Sequence, residues 1–291
     1  MSIRRLATRV LDNAAVARVR LVPKERRGEV RFCPVLHVEQ LDREACFDNL
    51  LEYLSAYRNI TGKRAVATVM TPISPLTAAR LEGSGFDPEE YARRIAEVGE
   101  VAIVGQHGHF VRPTPDDEIR PMHASFFDAD AIERQIRFEG EWLIERGLMD
   151  PQRKIYAAGW WFMNSRLQQM LIRLGYRHDF SISLSKYSYS HAAWIERRRS
   201  GGLGGAIRFD GSKMTGAAAL SGTAGAGRPL MCFKRLVAEG LLQSGAGVAT
   251  KYLTFYGHDY DLPPADAIAA THALSKHGFG FFEPEELDRA I

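Results

Sequence analysis

The chain has 291 residues, 45% of them hydrophobic and 25% charged, which suffices for one large α/β barrel or two modest domains and excludes a disordered composition. Its 38 Lys and Arg against 35 Asp and Glu leave a net charge of +3, too near balance to argue for a nucleic-acid partner. No stretch reaches the roughly 18 apolar residues of a membrane span, so the expected location is the cytoplasm.

Residues 1–29 read as a basic extension, with Arg4, Arg5, Arg9, Arg18, Arg20, Lys24, Arg26 and Arg27 against Asp12 and Glu25. A solvated basic face is the expectation, contact with a phosphate-bearing ligand or an anionic surface being the alternative. Val30–Glu39 then reads as a strand. Arg43–Asn59 carries Phe47, Leu50, Leu51 and Leu54 at helical spacing before Gly62, and Arg64–Met70 is a second strand ended by Thr71-Pro72. The rhythm continues with a helix at Pro88–Val98, a strand at Glu100–Gly105, and a helix at Asp128–Gly147 with Ile132, Ile136 and Leu143 on one side. Lys154–Ala158 (strand), Ser165–Leu174 (helix) and Arg177–Leu184 (strand) follow. Residues 185–227 interrupt the pattern with Tyr187, Tyr189, Arg197–Arg199 and two Gly/Ala-rich stretches, and read as a long loop over one barrel face. Neither glycine cluster has the spacing of a nucleotide-binding loop. A helix at Pro229–Leu242, a strand at Lys251–Tyr256, a helix at Ala265–His277 and a last strand at Phe279–Phe282, with Glu285–Ala290 closing the chain, complete an α/β pattern. We expect a single barrel domain over 1–291, although a doubly wound sheet has the same rhythm. Cys33, Cys46 and Cys232 read as reduced thiols without metal-type pairing.

In such a barrel, chemistry gathers where the strands end. The first strand ends in His37-Val38-Glu39, and alternation points His37 and Glu39 to the same side. The third ends in Gly105-Gln106-His107-Gly108-His109, and the late strand runs into Tyr256-Gly257-His258-Asp259. A lone strand-end histidine is more often structural, and His123, His191, His272 and His277 are read so. Convergence of Glu39, His107 and His258 on one rim is what distinguishes a site. Imidazole and carboxylate donors there suit zinc with one open position.

Ala157-Ala158-Gly159-Trp160, followed by Leu174-Gly175-Tyr176-Arg177-His178-Asp179-Phe180-Ser181, resembles the central segment of the polysaccharide deacetylases of the NodB-homology type. His37-Val38-Glu39 resembles that family's acidic first motif, Glu100–Phe110 its second, and Leu253–His258 its late strand ending in histidine. The resemblance spans residues 30–290 and implies a deformed (β/α)7 barrel that removes acetyl groups from acetylated sugars with a divalent metal, zinc by donor type. It implies Glu39 and His107 as metal ligands, His258 as general acid, the first-motif residue His37 as base, and the motif aspartate Asp179 among the catalytic groups. Tyr156, at the motif arginine, is placed with Trp160 and Trp161 against substrate. The family pattern is broken at four places. His37 replaces an aspartate, Val111 stands where a second metal-binding histidine belongs, Tyr156 replaces an arginine and Ala158 a proline. His109 is the nearest imidazole to take the vacant ligand role, and at i+2 from His107 in extended chain it faces the same way.

Two readings follow. One is a deacetylase acting on an acetylated sugar of a surface polysaccharide or its cytoplasmic precursor, of the O-antigen or capsule type. The other is a barrel that has lost turnover and binds glycan or scaffolds the same pathway, since a catalytic unit rarely survives the loss of several parts.

Overall fold

The computed structural model describes residues 30–113, 119–121, 129–159, 165–181, 206–208, 214–217, 219–220 and 251–290. Strand β1 (Val30–Val38) is buried along its length except at Arg31. It lies between two parallel neighbours, and a strand covered on both faces must be apolar throughout. Helix α1 (Glu44–Thr61) turns Phe47, Leu50, Tyr53, Leu54 and Tyr57 inward, and ends at Gly62. There φ is 68° and the amide donates to the Arg58 carbonyl at 2.8 Å, a left-handed cap that glycine adopts without strain.

After β2 (Ala65–Val69) come two helices, α2 (Pro75–Ser84) and α3 (Pro88–Val101), where the sequence reading has one. Thr71-Pro72 hides the first of them, yet Ser74-Pro75 is a capping residue followed by proline at the first helical position. Strand β3 (Ala102–Gly108) starts two residues later than expected and ends three later, which brings His107 into the sheet. A small antiparallel hairpin, β4 (Val111–Pro113) with β5 (Ile119–Pro121), stands off the main sheet. Then follow α4 (Ala129–Glu145), β6 (Ile155–Ala158), α5 (Ser165–Arg173) and β7 (His178–Asp179).

The segment expected to be loop supplies the closure. Strand β8 (Ala206–Arg208) pairs antiparallel with β9 (Thr215–Ala217), and β9 pairs parallel with β7. Two residues further on, β10 (Ala219–Leu220) pairs parallel with β11 (Lys251–His258), which pairs with β1. The ring β1-β2-β3-β6-β7-β9/β10-β11 is thus a deformed seven-stranded parallel barrel with helices outside. The expectation of a loop throughout 185–227 is corrected: Thr-Gly-Ala and Ala-Leu offer no alternation to read, but Met214, Thr215 and Ala217 are buried. Tyr187, Tyr189, the rest of that segment, the helix expected at 229–242 and the extension 1–29 lie outside the described residues. Helix α6 (Pro264–Lys276) packs on α1, β12 (Gly280–Phe281) joins β1, and a 3₁₀ turn at Pro284–Arg289 ends the described chain. No helix among the described residues is long and apolar enough to cross a membrane.

Side chains from six strands or their ends fill the barrel: Cys33, Val35, Val66, Ile155, Ala157, Phe180, Ala217 and Tyr252, with Phe282 and Leu287 below. Outside, α4 and α5 cover a second cluster that includes Ile132, Ile136, Tyr156, Leu167, Leu171 and Tyr176. Alternation therefore assigns each strand residue a side. Cys33, Val35 and His37 face in, while Val38, Val69, Gln106 and Tyr156, which share one register row, face the helices.

Candidate metal centre

Because the strands are parallel, β1, β3 and β11 deliver their last residues to one rim. His37 is in register with His258 on one side and Thr68 on the other. Glu39 follows β1 by one residue, and His109 follows β3 by one. The Nε2 atoms of His107 and His109 approach to 3.0 Å. Glu39 Oε1 lies 3.3 Å from the first and 3.2 Å from the second, with His258 Nε2 at 3.9 Å.

His107 Nδ1 lies 2.9 Å from the Ala157 carbonyl, which can only accept, so the ring proton sits on Nδ1 and Nε2 presents its lone pair to the cluster. Burial pushes the His107 pKa down to about 4, against the attraction of the Glu39 carboxylate, and burial with the neighbouring His107 and His258 holds His37 well below the usual imidazole range. Burial works to raise Glu39, but the facing imidazoles of His107 and His109 outweigh it and hold the carboxylate well below its ordinary range. One anionic oxygen and two imidazole nitrogens thus face each other at 3.0–3.3 Å. Tetrahedral bonds of about 2.0–2.1 Å to a divalent ion separate neighbouring donors by about 3.3 Å, so the donor set fits such an ion with its fourth position open. His109 is the third donor of this set. Val111, where the second family histidine is expected, is buried at the start of β4.

No family model matches the chain, and no curated protein matches it in sequence. Among solved structures, a protein from Mycobacterium smegmatis assigned as a polysaccharide deacetylase superposes with a TM-score of 0.53 at 12% identity, covering 90% of each chain. A protein from Enterococcus faecalis V583 assigned to cellobiose-phosphate cleavage superposes with a TM-score of 0.52 at 10% identity, covering 88% of this chain and 98% of its own. The chain has a deacetylase-like fold. That the two neighbours carry different functional assignments leaves chemistry to be argued from the site.

On this deacetylase-like barrel His37 lies beneath the metal donors, 2% exposed, its ring 4.2 Å from that of His107 and 5.4 Å from that of His258. His258 is the outermost of the four histidines' group, stacked on the exposed ring of Tyr260 at 4.8 Å. Burial draws the His258 pKa down, but Asp261, 3.4 Å from Nδ1, and the charge of Glu39 reverse this and raise it. Asp259, absent from the sequence-based site, fixes the first strand end. Its buried carboxylate accepts from the amides of Glu39 at 3.1 Å, Gln40 at 2.7 Å and Tyr260 at 3.1 Å.

Two residues of the expected site are not brought to this rim. Tyr156 faces the helices, buried, with its ring edge-on to Tyr176 at 5.7 Å. Its assignment to substrate is corrected: the motif fixed its place along the strand, and register turned it outward. Asp179 shares the Tyr156 register row and accepts from the amide of Ser181 at 2.9 Å and its hydroxyl at 2.5 Å. Burial raises its pKa to about 6. Ser181 Oγ in turn accepts from the Ala158 amide at 2.8 Å, so Asp179 braces the end of β6 and does not join the histidines. Trp160 and Trp161 lie outside the described residues.

The end of β6 matters because Gly159 adjoins it. A Cβ there would stand 2.5–2.6 Å from the His109 ring. Gly159→Ala should therefore leave the fold intact and displace the imidazole, weakening zinc binding about tenfold or more. Zinc titration against far-ultraviolet circular dichroism checks this, and wild-type affinity in the variant would show that the ring has room elsewhere.

Proposed function

We propose that this chain is a divalent-metal hydrolase that removes an acetyl group from an acetylated sugar of a surface polysaccharide or its precursor. The observation that carries the reading is the compact Glu39, His107 and His109 donor set with His258 beside it, at the strand-end rim of a deacetylase-like barrel. Glu39, His107 and His109 would hold the ion. When bound there, a divalent metal, zinc by donor type, supplies Lewis acidity toward an acyl carbonyl and toward water.

The chain's own residues divide the remaining work. His258, kept basic by Asp261 and Glu39, holds a proton at Nε2, beside the Glu39 carboxylate, and delivers it to the departing sugar nitrogen or oxygen. His37, kept neutral by burial, accepts the proton of the attacking water. Asp259 holds the Glu39 backbone so that the carboxylate stays aimed at the two imidazoles. Asp179 acts only through the end of β6. The location we propose is the cytoplasm, where Cys33 and Cys46, free among the described residues, would stay reduced.

Zinc-loaded protein is expected to release acetate from acetylated sugar nucleotides or lipid-linked sugars, with loss of that release on chelation. His258→Gln should lower kcat by about 10²-fold or more while zinc content stays at one per chain. No bound metal and no acetate across a broad panel would overturn the reading. A second reading, glycan binding without turnover, is favoured by one observation: a fully enclosed imidazole, His37, stands where the family has a carboxylate base. Zinc uptake with saturable glycan binding and no acetate would select it.

A further inference from the structure

The pairing of β3 with β6 ends at Gly108 and Ala158, and β4 begins only at Val111. His109 and Phe110 therefore span a gap between two sheets, and the His109 carbonyl lies beyond the last rung of the barrel ladder. A metal donor on such a link needs another anchor, because a backbone free to shift by an ångström misplaces its imidazole. Helix α4 provides it. Gln135 Nε2 donates to the His109 carbonyl at 2.8 Å and to Glu139 Oε1 at 2.9 Å. Glu139 also accepts from Gln106 Nε2 at 3.2 Å, and Gln106 takes a hydrogen bond from the Tyr176 hydroxyl.

We propose that Gln135, held in place by Glu139, is a positioning residue that fixes His109 for metal binding. This rests on the metal-centre reading above. The arrangement is directional: the side-chain amide of Gln135 spends its donors on His109 and Glu139, and the buried carboxylate of Glu139, 1% exposed, has no role other than to receive Gln135 and Gln106 among the described residues. Burying a carboxylate is costly, and burial raises the Glu139 pKa to about 7. A fold that needed only packing at this turn of α4, between Ile136 and Leu143, would do better with leucine.

The test compares Gln135→Leu with the exchanged pair Gln135→Glu/Glu139→Gln. The exchanged pair restores the bond between positions 135 and 139, and lets Gln106 donate to position 139, but removes the side-chain amide that donates to the His109 carbonyl. Zinc affinity is measured by competition with a chromophoric chelator, and backbone hydrogen exchange over residues 107–111 is measured on metal-free protein. Gln135→Leu is expected to bind zinc about 10–100-fold more weakly and to exchange faster at 107–111. The exchanged pair is expected to melt near the wild-type temperature yet retain both defects. Unchanged affinity and exchange in Gln135→Leu, or full recovery of both in the exchanged pair, would overturn the proposal. Wild-type protein that takes up no zinc would remove the metal reading, while the exchange rates of metal-free protein would still decide whether Gln135 holds this link.

Discussion

Replacing His107 by alanine should abolish stoichiometric zinc binding and, with it, acetate release. The residue is fully enclosed, and its tautomer is set by the Ala157 carbonyl, so its Nε2 is oriented before any ion arrives. Its removal leaves Glu39 and His109 as donors, and two donors do not hold a divalent ion against water at micromolar concentrations. The affinity loss should reach roughly 10³-fold, beyond the 10–100-fold cost of disturbing a residue that merely supports a ligand. The same loss is expected for Glu39→Ala and for His109→Ala. Val111→Ala should leave zinc binding unchanged, since valine carries no donor atom and lies outside the donor set. Equilibrium dialysis with elemental analysis measures these, and tight zinc binding insensitive to all three ligand substitutions would refute the assignment of the site.

Truncating Phe180 should have the largest effect on stability. Its ring is 0% exposed and packs inside the barrel with Val35, Val66, Ile155, Ala157 and Phe282. Phe180→Ala removes the transfer free energy of the ring and leaves a void that the strands can close only in part, costing about 3–5 kcal/mol. At this chain length that lowers the melting temperature by roughly 5–8 °C. Phe180→Leu keeps most of the volume and should cost under about 1.5 kcal/mol. Urea unfolding with an unchanged denaturant slope would attribute the difference to the folded core, and a loss under about 1 kcal/mol in the alanine variant would show that the interior is looser than its burial indicates.

The barrel was legible wherever apolar residues keep a period. β1, α1, β2, α4 and α6 all stand within a few residues of their expected positions, because each pairs a hydrophobic face with an end signal such as Gly62. The stave at 215–220 was not, since glycine and alanine satisfy a barrel wall by being small and leave no pattern to detect. At the rim, Glu39, His37, His107, His109 and His258 could be found because several strand tips carry a carboxylate or an imidazole at once, a coincidence that a lone structural histidine does not produce. Tyr156 and Asp179 came from a motif, which fixes position along the chain but not the face on which a side chain emerges; only strand register supplies that. Glu139 and Gln135 carried an unread signal. Glu139 falls seven residues after Ile132 and four before Leu143, squarely on the apolar stripe of α4. A charge in that stripe needs a buried partner, and following the requirement would have led to the support of His109.

The way the barrel closes also sets the candidate site apart from the seam. Every atom of the candidate donor set, and His258 with them, comes from the arc β11-β1-β2-β3, whose neighbours are joined over eight, four and five consecutive register pairs. The opposite seam shows, among the described residues, two register pairs between β7 and β9 and two between β10 and β11. The candidate donor set and the seam that closes the ring thus occupy different staves of one cuff, the clasp standing apart from the setting.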